Sequence, residues 1–275
     1  MKKIIVVFIM LTALCVYAFS ITPAGKAFDK GVKALNDNQL QAAKTYFNEA
    51  INHDPKFARA YSYLALVQSK LGETDDAILN YKIAYKFDKK DGATLTNLCS
   101  LLVEKGQKKN AYEVCTKAIE VNPKSYKAYN NRCQLFVEAG RYDSAIADCS
   151  QAIIIDGQYV TAYINRAIAY EHLNQYERAV EDYSSAIKIN PASALAYNNR
   201  CVANRVLKKY PLAEADCSKA IALDKMFEQA YLNRAAVYEE QGQMKDAAVD
   251  YASYLKLRPD DVSVREKLKR LLEQK

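Results

Sequence analysis

The chain has 275 residues, half of them apolar, with eight glycines, six prolines and a formal charge of +7. That supplies a substantial core and excludes a disordered or low-complexity protein. Its basic residues alternate with acids, the pattern of a solvated surface and not of a nucleic-acid groove.

The first stretch, MKKIIVVFIMLTALCVYAFS, carries Lys2 and Lys3, runs apolar from Ile4 to Val16 and then places small residues at Val16 and Ala18. It is expected to be a signal peptide over residues 1–18, cut after Ala18, with 19–23 as a short linker. The alternative is an uncut membrane anchor, although the run is shorter than the ~20 apolar residues that cross a bilayer. A lipoprotein site is disfavoured, because Leu14 stands directly before Cys15. Removal of 1–18 takes Cys15 with it and leaves 37 basic against 32 acidic residues.

From residue 24 a period of 34 residues repeats without insertion or deletion, giving units 24–57, 58–91, 92–125, 126–159, 160–193, 194–227 and 228–261. Such a period marks a solenoid. Position 20 of every unit is Ala, from Ala43 to Ala247, and position 27 is Ala in all but the last, where Tyr254 stands. Position 4 is Tyr in five units, at Tyr61, Tyr129, Tyr163, Tyr197 and Tyr231. Apolar or small residues at positions 4, 8 and 11, and again at 20, 24 and 27, fall at three- and four-residue steps, one stripe for each of two helices. Gly72, Gly106, Gly140 and Gly242 at position 15 end the first helix, Pro211 suits the first turn of a second helix, and Pro55, Pro123, Pro191 and Pro259 at position 32 open the turn to the next unit.

These residues resemble the tetratricopeptide repeat family over residues 24–261. The resemblance implies an all-α fold, a right-handed superhelical solenoid of seven 34-residue helix-turn-helix repeats. Residues 262–275 are expected to form a capping helix, with Val264, Leu268, Leu271 and Leu272 on one face and a charged opposite face.

Six cysteines remain after position 18. Cys99, Cys133 and Cys201 take position 8, and Cys115, Cys149 and Cys217 take position 24 of the same three units. Elsewhere these positions pair a small residue with a ring, as in Gly31 with Phe47 or Ala167 with Tyr183. Two thiols there would leave volume unfilled, at a cost on the order of 1 kcal/mol. Closing a ~16-residue loop contributes roughly 3 kcal/mol, and an exported protein meets an oxidising compartment. Three intra-repeat disulfides are therefore expected, with buried free thiols as the alternative. Zinc is disfavoured, since there is no C-x-x-C and the only histidines are His53 and His172. A thiol redox protein would need an exposed pair, and these positions are expected to be buried.

Arg132, Arg166, Arg200 and Arg234 at position 7 accompany Asp148, Asp182, Asp216 and Asp250 at position 23, which suggests an ion pair across each hairpin. Four copies along a rod do not converge on a catalytic site, so no catalytic residue, metal or cofactor is assigned. The tyrosines at positions 4, 11, 17 and 24 are read as core, His172 as a surface residue, and Asn204 at position 11 as a local polar contact.

Positions 2, 5, 6, 9, 12 and 13 of the first helix lie outside its packing stripe, and the resemblance implies that they line a concave surface where partners dock. Asn97, Asn131, Asn165, Asn199 and Asn233 occupy position 6, joined by Asn130 and Asn198 at position 5, with Lys127 and Gln134 nearby. An amide both donates and accepts, so such a ladder can hold the backbone of an extended peptide. It is similar to the ladder inside O-linked N-acetylglucosamine transferase, of whose catalytic domain nothing is present. It departs from the carboxylate clamp of heat-shock co-chaperones, because no unit joins Lys at position 2 to Arg at position 6. The ladder is open to a second reading, as a family habit that only caps or hydrates the surface. The expected function is an exported scaffold or chaperone-like adaptor, periplasmic or secreted, that binds a protein or peptide and no nucleic acid. The alternative is a membrane-tethered envelope assembly factor.

Overall fold

A computed structural model describes residues 22–273 of the protein. The expected signal peptide, residues 19–21 of the linker and the last two residues lie outside them. Among the described residues there are helices and no strand.

The chain divides into two compact units, residues 1–131 and 132–275. The first contains α1 (Pro23–Asn36), α2 (Leu40–His53), α3 (Ala58–Lys70), α4 (Thr74–Phe87), α5 (Gly92–Glu104) and α6 (Lys108–Val121); the division falls within α7 (Tyr126–Glu138). The second continues with α8 (Tyr142–Ile155), α9 (Val160–His172), α10 (Tyr176–Ile189), α11 (Ala194–Val206), α12 (Tyr210–Leu223), α13 (Glu228–Glu240), α14 (Met244–Leu257) and α15 (Val262–Glu273). In each unit a helix packs on its hairpin partner, and the second helix of one hairpin packs on the first helix of the next. α1 begins one residue before the expected repeat boundary. Pro23 suits the first turn, and Thr22 Oγ1 caps it by accepting from the Gly25 N–H at 3.0 Å.

Close helix approach follows from the alanines. All seven at position 20 are fully buried, as are most at position 27. Position 3, absent from the expected stripe, is also sealed at Ala60, Thr94, Ala128, Ala162, Ala196 and Ala230, whereas the position-4 tyrosines are half-buried. Those tyrosines lie along the hairpin edge, and Tyr61, Tyr163 and Tyr231 donate to the carbonyls of Pro55, Gly157 and Lys225 in the preceding turn (3.3 to 3.4 Å).

Every turn within a hairpin closes the same way. Position 15 adopts positive φ in all seven repeats, in glycine at Gly72, Gly106, Gly140 and Gly242 but also at Asn38, Asn174 and Lys208. The following N–H reaches back five residues, for example Lys209 N–H to Asn204 O at 2.8 Å, which satisfies the helix-end carbonyls. Between hairpins, Asp or Asn at position 31 accepts the backbone N–H two residues on, from Asp54 through Asp224.

Candidate functional site

The cysteines meet in pairs, all six fully buried. Cys99–Cys115, Cys133–Cys149 and Cys201–Cys217 place Cα atoms 5.1, 5.5 and 5.4 Å apart, with sulfurs at bonding distance. These separations are what a disulfide requires, and with Cα atoms about 2.3 Å from each helix axis they are compatible with an ordinary axis spacing of about 8 to 10 Å. Gly31 and Phe47 show the same approach without sulfur.

Each Arg–Asp pair is bidentate. In the first of the four, Arg132 Nε and Nη2 donate to Asp148 at 2.6 and 2.9 Å. The same forks join Arg166 to Asp182, Arg200 to Asp216 and Arg234 to Asp250. The aspartates are nearly buried, and the carboxylates beside Arg166 and Arg234 hold those guanidinium groups above their ordinary range. Arg166, Arg200 and Arg234 each donate through Nη1 to Ser150, Ser184 and Ser218 of the preceding hairpin, all at 2.9 Å. Asn204 makes the local polar contact expected of it, donating to Asp216 Oδ2 at 3.1 Å.

The first-helix face of the first unit carries a cleft of about 480 Å³ lined by Arg59, Ser62, Tyr63, Leu66, Ala93 and Asn97, with Asp88 and Asp91 at its edge. The six helical residues occupy positions 2, 5, 6 and 9, those left over by the packing stripe. Asn97 is half-buried beside the Tyr81 phenol. Burial pushes that phenol well above its usual range, and the Asn97 amide pulls the other way.

The other asparagines are engaged to different degrees. Asn131 donates to Ser100 Oγ at 2.7 Å. Asn130 and Asn198 are 2% and 4% exposed, so in this conformation their amides offer almost no surface. Asn233 donates to Asn198 Oδ1 at 2.8 Å, and Asn198 to Asn199 Oδ1 at 3.2 Å. Asn165 is half-buried on α9. Lys127 is exposed with its ammonium 5.9 Å from the Tyr126 ring centre, and Gln134 donates to Glu138 at 3.2 Å. Much of the row thus serves contacts between neighbouring helices. A polar neighbour on the preceding hairpin is the signal for this, as with Ser100, which donates to Thr96 O and accepts from Asn131.

Sequence reading also passed over Glu171. Burial pushes its carboxyl up to about 7, although Tyr183 beside it acts in the opposite direction. The Tyr183 phenol is fully buried and raised by that burial and by the charge of Glu171. The two groups are near enough to influence each other, yet neither Glu171 Oε1 nor the Tyr183 hydroxyl makes a hydrogen bond of sound geometry. His172 stacks on Tyr142 with ring centres 4.6 Å apart.

Among the described residues no group of three or more His, Cys, Asp and Glu side chains could hold a metal ion, and no helix is long and apolar enough to cross a membrane.

Four family models, each described as tetratricopeptide repeat, match residues 46–78, 100–160, 160–193 and 229–261, together more than half of the chain. A small glutamine-rich tetratricopeptide repeat-containing protein 2 from Mycosarcoma maydis is 36% identical over 94 residues, 34% of this chain and only 27% of that relative's length. A tetratricopeptide repeat protein from Parabacteroides merdae aligns with TM-score 0.66 at 20% identity, over 91% of this chain and 99% of its own. YrrB, described as a TPR protein with an unusual peptide-binding site, aligns with TM-score 0.57 at 16% identity, over 69% of this chain and 97% of its own. The chain belongs to the tetratricopeptide repeat family, whose members are in general protein-binding scaffolds without enzymatic activity.

Proposed function

We propose that the protein is an exported scaffold or adaptor that holds an extended segment of a partner protein along its first-helix face. The cleft at Arg59, Ser62, Tyr63, Leu66 and Asn97 carries this reading, because it opens on the first-helix face and joins apolar surface to both donors and acceptors. The peptide-binding site named for YrrB supports the same kind of partner. Export is supported by the three buried cysteine pairs at bonding distance, an arrangement that persists in oxidising compartments. The apolar run from Ile4 to Val16 would supply either the cleaved signal or a retained anchor, and the first residue of the purified protein distinguishes them.

A photo-crosslinking residue tests the binding face. Placed at Leu66 in the cleft, p-benzoylphenylalanine should yield covalent adducts with a partner; placed at Leu79, which is exposed on α4 outside the cleft lining, it should yield few. The Leu66 adducts should diminish when Arg59→Ala and Asn97→Ala are added. Equal labelling from both positions overturns the assignment of the face.

A further inference from the structure

Repeats 5 and 7 bring the same two polar residues together but differ in the third. In repeat 7 the Tyr251 hydroxyl on α14 donates to Glu239 Oε2 on α13 at 2.9 Å, and Lys267 from α15 closes on the same carboxylate at 2.6 Å. The Lys267 ammonium also lies 4.9 Å from the centre of the Tyr251 ring. Carboxylate, phenol and ammonium complete one another within the chain.

Repeat 5 places Glu171 and Tyr183 at these same positions, 12 and 24. The third place, position 6 of the following hairpin, holds Lys267 after repeat 7 and Asn199 after repeat 5. Asn199 is neutral and leaves the carboxylate without a counter-charge. Among the described residues no lysine or arginine forms an ion pair with Glu171; Arg205, one repeat further at position 12, is paired with Glu240. The result is a fully buried phenol and one sealed carboxylate oxygen, neither with a hydrogen-bond partner, on a residue that is itself only half-buried.

We infer that Glu171 and Tyr183, with Asn199 beside them, form a subsite for a lysine side chain of the bound partner. This deepens the function proposed above and rests on it. A lysine ammonium carries three donors, and the half-buried Glu171 carboxylate and Asn199 amide present acceptors to it, with the buried Tyr183 phenol behind them. A compact ammonium matches the arrangement around Lys267. A guanidinium fork, by contrast, needs both carboxylate oxygens presented side by side, and Glu171 Oε1 is sealed off. Position 12 belongs to the first-helix face, so the lysine reaches the pocket from a chain lying along that face.

The test uses n-butylammonium, the end of a lysine side chain, and the full chain. The side-chain carboxyl resonances of Glu171 and Glu239 are followed by NMR across pH in n-butylammonium chloride and in sodium chloride of matched ionic strength. The Glu171 midpoint should fall by about one pH unit at saturating amine, as an adjacent opposite charge requires, while Glu239, already paired with Lys267, stays in place. In Asn199→Lys the Glu171 midpoint should be low from the start and should no longer respond to amine. Identical Glu171 titrations in the two salts overturn the subsite, and so does a response that survives Asn199→Lys. No partner protein enters this measurement, so it can fail while the Leu66 cross-linking holds, and the converse is equally possible.

Discussion

In the first repeat Gly31 lies under the ring of Phe47, and a Cβ added to that glycine would stand 2.6 Å from Phe47 Cε1. In the sixth repeat Cys201 and Cys217 occupy the same two positions, joined at bonding distance. Both arrangements fill the point where the paired helices come closest. They differ in where the stabilisation resides. Phe47 extends into a group of rings, 5.5 Å from Phe28 and 5.6 Å from Tyr63, so the first hairpin is held partly by side chains of the second. The sulfur bond itself closes within its own hairpin, beside Ala213, with Val237 of the next hairpin packed on it. A ring over glycine depends on neighbours, and a covalent link does not.

The largest way to break this contrast is to remove the link. Cys201→Ala with Cys217→Ala should lower stability by about 3 kcal/mol, read as an earlier urea midpoint and faster hydrogen exchange in α11 and α12. Added reductant should bring the parent protein down to meet the variant at these helices. Intact mass without reductant should read six hydrogens below the fully reduced chain once Cys15 has been removed. A chain of unchanged mass would mean that the thiols are free.

Gly31→Val comes next. Its side chain must displace Phe47, and overpacking of this kind costs about 2 kcal/mol, with loosened exchange in α1 and α3 that reductant does not alter. The smallest effect separates the two hairpin turns, which share a left-handed residue of different type, Asn38 in the first repeat and Lys208 in the sixth. Lys208→Gly should raise stability by about 1 kcal/mol, while Asn38→Gly should gain less, because Asn tolerates that conformation. Equal gains at both positions would show that strain at Lys208 is relieved by its surroundings.

The residues that announced themselves in the sequence did so by recurring under one steric rule. Alanine at position 20 is small enough to sit between closely paired helices and recurs in every repeat, so the period, the hairpins and the facing of positions 8 and 24 could be read directly. The Arg and Asp columns appeared and disappeared together, which identified them as partners. Other features gave weaker signals. Lys208 in a left-handed turn looks like any surface lysine, because the backbone imposes that conformation and the side chain does not. Ser150, Ser184 and Ser218 are common residues whose importance depends on an arginine sixteen residues later. The asparagine row was visible as a row, but whether an amide turns toward a partner or toward its own neighbour depends on side-chain geometry, as Asn131 and Ser100 illustrate. Glu171 stood out only once its burial and its resemblance to Glu239 could be seen together.

The serine contacts alter how the second unit comes apart. Along α10, Asp182 is gripped by Arg166 of its own hairpin and Ser184 by Arg200 of the next; α12 is held in the same manner through Asp216 and Ser218. Peeling away a single hairpin therefore breaks an Arg–Ser hydrogen bond across the seam as well as exposing apolar surface, while each Arg–Asp fork stays intact within its own hairpin. Fraying is penalised at each successive step, and this segment should open in blocks longer than one repeat, giving a partner a stiff rail to lie against.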